Sequence, residues 1–65
     1  MKENFAIKLR ELRKASGMTQ EQLAAEFGVS VQAVSKWESG ASDPSTSNLL
    51  ALAKLYGVSA EDLLR

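Results

Sequence analysis

Apolar residues recur at intervals of three and four along this chain, which is the spacing of amphipathic helices. Phe5, Leu9 and Leu12 define one such face near the start, and Gly17 ends that segment. A later segment carries its inner face on four residues: Leu49, Leu52, Ala53 and Tyr56. Helical spacing in each segment predicts an all-α fold with no strand.

A short motif recurs where these segments meet: a glycine, an apolar residue and then serine or threonine. It occurs as Gly17-Met18-Thr19, Gly28-Val29-Ser30 and Gly57-Val58-Ser59. Glycine suits the left-handed residue after a helix, and the hydroxyl caps the next helix. With Ser45 or Thr46 capping another helix, the pattern predicts five helices. Residues 1–4 are expected to form a short arm, with Asn4 as a candidate cap.

The second and third helices are separated only by a tight turn at Gly28. Thr19 and Gln22 have the spacing of a capping box at the start of the second helix. Ser30 caps the third helix, and Gly40 follows Ser39 at its end. Two short helices joined in this way predict a helix-turn-helix within a single domain of residues 1–65.

The third helix has two different faces. One carries a tryptophan and predicts core packing: Ala33, Val34, Trp37 and Glu38. The other is built from short and mostly hydrogen-bonding side chains: Val31, Gln32, Ser35, Lys36 and Ser39. A helix anchored through one face and polar on the other suits the major groove of DNA.

Composition limits the alternatives. The chain has zero net charge, which argues mildly against nucleic acid, although four cations gather in the first helix: Lys8, Arg10, Arg13 and Lys14. There is no cysteine or histidine, so neither a disulfide nor a Cys/His zinc site is available. No apolar run resembles a signal peptide or a membrane span. We therefore expect a cytoplasmic protein without a metal or cofactor, and not an enzyme.

The segment from Thr19 to Gly40 resembles the lambda-repressor-like helix-turn-helix family of the XRE or Cro/repressor type. The resemblance depends on residues in register across both helices and the turn: Gln20, Leu23-Ala24, Gly28-Val29-Ser30, Val34 and the run from Ser35 to Gly40. It extends through residues 9–13 and 52–59 and so covers nearly the whole chain. It implies a compact five-helix DNA-binding domain.

Four residues of the third helix are candidate base contacts. Gln32 can bond adenine through two atoms, and Lys36 can reach guanine or a phosphate. Val31 suits a thymine methyl group, although an ordinary surface position explains it almost equally well. Ser35 can bond a base or a phosphate with little discrimination.

The candidate phosphate contacts lie at helix ends. Gln20 begins the second helix, where its amide and the free backbone donors can hold a phosphate, and the family has a phosphate-contacting glutamine there. The caps Thr19 and Ser30 are expected to contribute. Ser39, the Gly40 amide and Ser42 resemble the family's phosphate clamp, although Ala41 replaces the common basic residue.

Arg13 and Glu38 resemble a family ion pair that joins the first helix to the end of the third. A bidentate guanidinium–carboxylate contact would fix the tilt of the third helix. We assign this pair a structural role rather than base readout.

These observations predict a sequence-specific transcriptional regulator, of repressor type, that binds double-stranded DNA as a homodimer. Two half-sites would lie about 34 Å apart, one helical turn of DNA. An alternative is a protein-interaction module, of antitoxin or anti-repressor type, that uses the same fold. Zero net charge and Ala41 favour that alternative.

Overall fold

A computed structural model describes residues 2–65, with side chains from Asn4 onward. The described chain forms five helices and no strand, which confirms the predicted all-α fold. In chain order they are α1 (Lys2–Ala15), α2 (Gln20–Phe27), α3 (Val31–Ser39), α4 (Thr46–Tyr56) and α5 (Ala60–Leu64).

The prediction of an arm over residues 1–4 is wrong for residues 2–4, because α1 begins at Lys2. Lysine and glutamate are good helix formers, so the helix that Phe5 anchors in the core extends backward through them. Asn4 lies inside the helix and does not cap it. Met1 lies outside the described residues.

The apolar core lies where α1 crosses α3, with α2, α4 and α5 packed around them. Its buried members come from every helix: Phe5, Leu9, Leu23, Ala24, Val34, Trp37, Leu52, Ala53 and Leu63. Burying these side chains is the main favourable term in folding a domain this small. Among the side chains from Asn4 onward, three large apolar residues remain exposed: Ile7, Leu50 and Leu55.

The turn between α2 and α3 follows the predicted chemistry. Gly28 has a φ of 64°, in the left-handed region, and its N–H bonds back to α2. Thr19 Oγ1 accepts from Gln22 N–H at 3.0 Å, while Gln22 Oε1 accepts from Thr19 N–H at 2.8 Å. Ser30 Oγ caps α3 by accepting from Ala33 N–H at 3.1 Å. The capping box and the tight turn are thus confirmed, and together they set α3 against α2.

Candidate nucleic-acid interface

The outer face of α3 is a row of exposed polar side chains. Gln32, Ser35, Lys36 and Ser39 are all exposed and lie on one side of the helix. Val34, Trp37 and Glu38 are buried on the opposite side. The helix is therefore fixed through one face and offers amide, hydroxyl and ammonium groups on the other.

Val31 differs from the sequence-based expectation of an exposed side chain. It is half-buried and packs against the core. Position 31 lies at the edge of the polar face, next to buried Glu38 around the helix. Only part of its side chain can therefore meet a ligand on the outer face of α3.

Thr19 and Ser30, which cap α2 and α3, each retain a hydroxyl hydrogen that can be donated. Thr19 and Ser30 each accept a backbone hydrogen bond through the side-chain oxygen. A hydroxyl also carries one hydrogen to donate. Each cap can therefore donate to an anion while it holds its helix.

Most hydrogen-bond donors at the end of α3 and in the loop after it already bond to the last turn of α3. The backbone N–H groups of Gly40, Ala41 and Ser42 all point to the carbonyl oxygen of Lys36, and the Ser39 hydroxyl donates to it at 3.2 Å. The Gly40 and Ser39 donors that the family resemblance assigns to phosphate thus already have a partner. Within the described residues, the Ser42 hydroxyl makes no hydrogen bond.

Arg13 and Glu38 form a bidentate ion pair between α1 and α3. Arg13 Nε lies 2.7 Å from Glu38 Oε2, and Arg13 Nη2 lies 3.0 Å from Glu38 Oε1. Arg13 Nη1 also donates to the Met18 carbonyl oxygen at 2.9 Å. The hydrogen bonds to Glu38 raise the pKa of the Arg13 guanidinium, so this cation stays charged. One side chain thus ties α1 to α3 and to the loop before α2.

Gln20 joins the same cluster, which the sequence reading did not foresee. Its Nε2 donates to Glu38 Oε1 at 3.1 Å. The first residue of α2 is therefore bonded to the last turn of α3. No local pattern predicts this bond, because the partners lie 18 residues apart.

Two of the four cations between Lys8 and Lys14 in α1 have partners inside the domain. Arg13 holds Glu38, and Lys8 Nζ donates to the carbonyl oxygens of Asp62 and Arg65 at 2.8 and 2.7 Å, at the end of α5. Arg10 and Lys14 are exposed. The positive charge that α1 can offer to an anionic partner is thus smaller than its composition suggests.

The Tyr56 hydroxyl is buried beside the ion pair. Within the described residues it has no partner in hydrogen-bonding geometry. Burial is the main cause that raises the pKa of the Tyr56 phenol. The Ser16 hydroxyl acts in the opposite direction, although it bonds the Arg13 carbonyl oxygen. The hydroxyl has therefore lost its water without full compensation.

We expect Tyr56→Phe to stabilise the domain by up to about 1 kcal/mol, since it removes a buried hydroxyl that lacks a partner. The raised pKa adds a pH dependence. The neutral phenol contributes stability that is fully present below the unfolded pKa near 10 and is lost as pH rises through the higher folded pKa. Urea unfolding at pH 7 and pH 11 tests both effects. The wild type should lose more stability at pH 11 than the variant, and a destabilised variant at pH 7 would contradict the assignment.

The fold and the site define a helix-turn-helix domain whose third helix presents a polar face. Residues 9–63 match the helix-turn-helix family, so the match covers most of the chain. The chain belongs to this family, in its XRE or lambda-repressor-like type. It is a family of DNA-binding transcriptional regulators rather than a class of enzymes.

Named relatives agree with the family. The chain is 43% identical over 60 residues to the transcriptional activator BcrR of Enterococcus faecalis, covering 92% of this chain and 29% of that protein. It is 38% identical over 56 residues to RstR, a transcriptional repressor of a cryptic Vibrio cholerae phage, covering 86% and 50%. An HTH-type regulator of Methanocaldococcus jannaschii is 41% identical over 56 residues, covering 86% and 85%. The chain thus spans from under a third to most of the length of these relatives.

Neither a membrane-spanning helix nor a cluster of metal-binding side chains is found in the described part of the chain. None of its helices has the length and apolar character needed to cross a membrane. No group of three or more acidic side chains is arranged there to hold a metal ion.

Proposed function

We propose that this chain binds a specific double-stranded DNA sequence and acts as a transcriptional repressor, with α3 in the major groove. The main support is the division of α3 into a buried face and an exposed polar face. A helix anchored in this way can lay its outer side chains against base edges.

In this proposal the base edges are contacted by α3. Gln32 lies in its first turn and can bond adenine in two places, while Lys36, one turn later, reaches guanine or a phosphate. Ser35 lies between them and can bond either a base or a phosphate. Val31, half-buried at the edge of the face, can touch a thymine methyl group with its exposed part.

The phosphates flanking the groove would be held by the ends of α2 and α3. Thr19 and Ser30 can donate through their hydroxyls, and Gln20 can donate through its amide. After α3, the Ser42 hydroxyl is the donor without an internal partner. Contacts from Ser39 and the Gly40 amide require sharing or release of their bonds to the Lys36 carbonyl oxygen.

Repression and dimer formation belong to the same proposal. Repression requires only that an operator be occupied, whereas activation requires a further surface that contacts the transcription machinery. Two copies side by side can meet half-sites about 34 Å apart, since the domain measures 25 × 23 × 21 Å. The cytoplasmic location expected from the sequence is consistent with such a role.

The proposal is tested with a duplex selected from a random DNA pool. We expect Gln32→Ala to weaken binding by about 1–3 kcal/mol and to relax base preference at one position of each half-site. Lys36→Gln tests whether Lys36 holds a phosphate. If it does, one fewer counterion is released on binding, and the slope of log affinity against log salt concentration should become shallower by about 1 per half-site. Binding assays over a salt series measure both effects.

Lys54→Gln supplies the matched control, because it removes a cation from an exposed position on α4. It should leave base preference unchanged. Unaltered preference and affinity in Gln32→Ala would show that base readout has been assigned to the wrong residue. Failure of the wild type to bind any duplex in a salt-dependent way would reject DNA binding itself.

A further inference from the structure

The carboxylate of Glu38 connects α3, where it lies, to both α1 and α2. The residue is 5% exposed, and its two oxygens accept three hydrogen bonds. Two come from Arg13 on α1 and one comes from Gln20 on α2. An ion pair alone would hold the tilt of α3, so the third bond needs its own explanation.

The third bond fixes which way the Gln20 amide faces. A carboxylate only accepts hydrogen bonds, so the amide must turn its NH₂ group toward Glu38 and its oxygen away. The NH₂ group has two hydrogens, and Glu38 takes one. Within the described residues, the second N–H of Gln20 has no partner.

The position of Gln20 makes this free N–H useful. Glu38 lies on the buried side of α3 but borders the exposed face at Ser35, which precedes it by three residues. Gln20 reaches it from the first turn of α2 and is half-buried there. A donor held here lies between the start of α2 and the last turn of α3, the helix that is proposed to enter the groove.

We propose that Glu38 is a positioning residue for DNA binding: it orients the Gln20 amide so that the second N–H donates to a backbone phosphate. This inference rests on the proposed function. Arg13 neutralises the carboxylate, so a phosphate can approach without meeting an unpaired negative charge. Because the amide is ordered before DNA arrives, binding does not have to fix its rotamer.

The side-chain NH₂ signals of Gln20 in a ¹⁵N-edited NMR spectrum test the orientation. We expect its two proton signals to be widely separated, with one exchanging slowly, whereas exposed Gln32 gives the ordinary spacing. Adding the selected duplex should shift the other Gln20 proton. In Glu38→Gln the separation should collapse, while the backbone spectrum reports whether the variant is folded. If Glu38→Gln does not fold, the wild-type signals decide, and an ordinary Gln20 spacing overturns the proposal.

The phosphate contact is tested with duplexes in which single phosphates are replaced by neutral methylphosphonates. In the wild type, replacement at one position per half-site should weaken binding about tenfold through loss of this bond. In Gln20→Ala that penalty should disappear, while penalties elsewhere remain. Gln22→Ala is the control, since it alters the same helix start without touching Glu38, and it should keep the penalty.

The outcomes separate the two proposals. If Gln20→Ala weakens every duplex equally and keeps the wild-type profile of penalties, Gln20 acts only through stability and the inference is overturned. If the wild type shows no salt-sensitive binding to any duplex, the proposed function fails first. A profile that changes only at the Gln20 position supports both.

Discussion

Arg13→Ala is expected to lower the free energy of unfolding by about 3–5 kcal/mol, because it leaves the Glu38 carboxylate buried without its cation. The side chains of Arg13 and Glu38 are 11% and 3% exposed, so water cannot replace the lost partner well. Domains of this size have only a few kcal/mol of stability. Urea unfolding followed by the fluorescence of Trp37, the single tryptophan, measures the change.

Two further variants show whether the charge is the cause. Lys14→Ala removes an exposed cation next to Arg13 and should change stability by less than about 0.5 kcal/mol. The double replacement Arg13→Met with Glu38→Leu removes both charges and should be more stable than Arg13→Ala. A loss below about 1 kcal/mol in Arg13→Ala would contradict the role given to the pair.

Trp37→Ala is expected to cost about 3–5 kcal/mol, since it empties a large volume in the core. Trp37 is 4% exposed, and its ring meets Phe27 edge to face with centroids 6.4 Å apart. Trp37 belongs to α3 and Phe27 ends α2, so this contact holds together the two helices of the helix-turn-helix. Thermal unfolding followed by circular dichroism measures the loss without using tryptophan fluorescence.

Trp37→Phe is the matched variant, because it keeps an aromatic ring and removes less volume. Its cost should be clearly smaller than that of alanine. DNA affinity should fall in parallel with the folded fraction, since Trp37 anchors α3 from its buried side. Full stability in Trp37→Ala would mean that α3 does not depend on this anchor.

Sequence reasoning was most successful where the signal is local. Thr19, Gln22 and Gly28 lie within ten positions of one another, and backbone geometry alone decides how caps and turns use them. The five helices and the two faces of α3 follow from such short-range chemistry. The prediction of an arm failed for residues 2–4 because a candidate cap such as Asn4 can also be accommodated inside a helix.

Contacts between distant segments could not be predicted in the same way. The bond from Gln20 to Glu38 and the bonds from Lys8 to the end of α5 depend on how the helices cross. The Ala41 and Ser42 amides show a related limit, because their bonds to the Lys36 carbonyl oxygen depend on the conformation of the loop. Such features shape the candidate interface but leave no periodic mark in the sequence.

Whether α3 reads base edges in the major groove can be measured with 7-deazapurine duplexes. This substitution removes the purine N7 acceptor from the major groove and leaves the minor groove intact. At one purine position per half-site it should weaken wild-type binding but have little further effect on Gln32→Ala. If no 7-deaza position affects the wild type, while replacing guanine by inosine to remove the minor-groove amine does, α3 does not read the major groove.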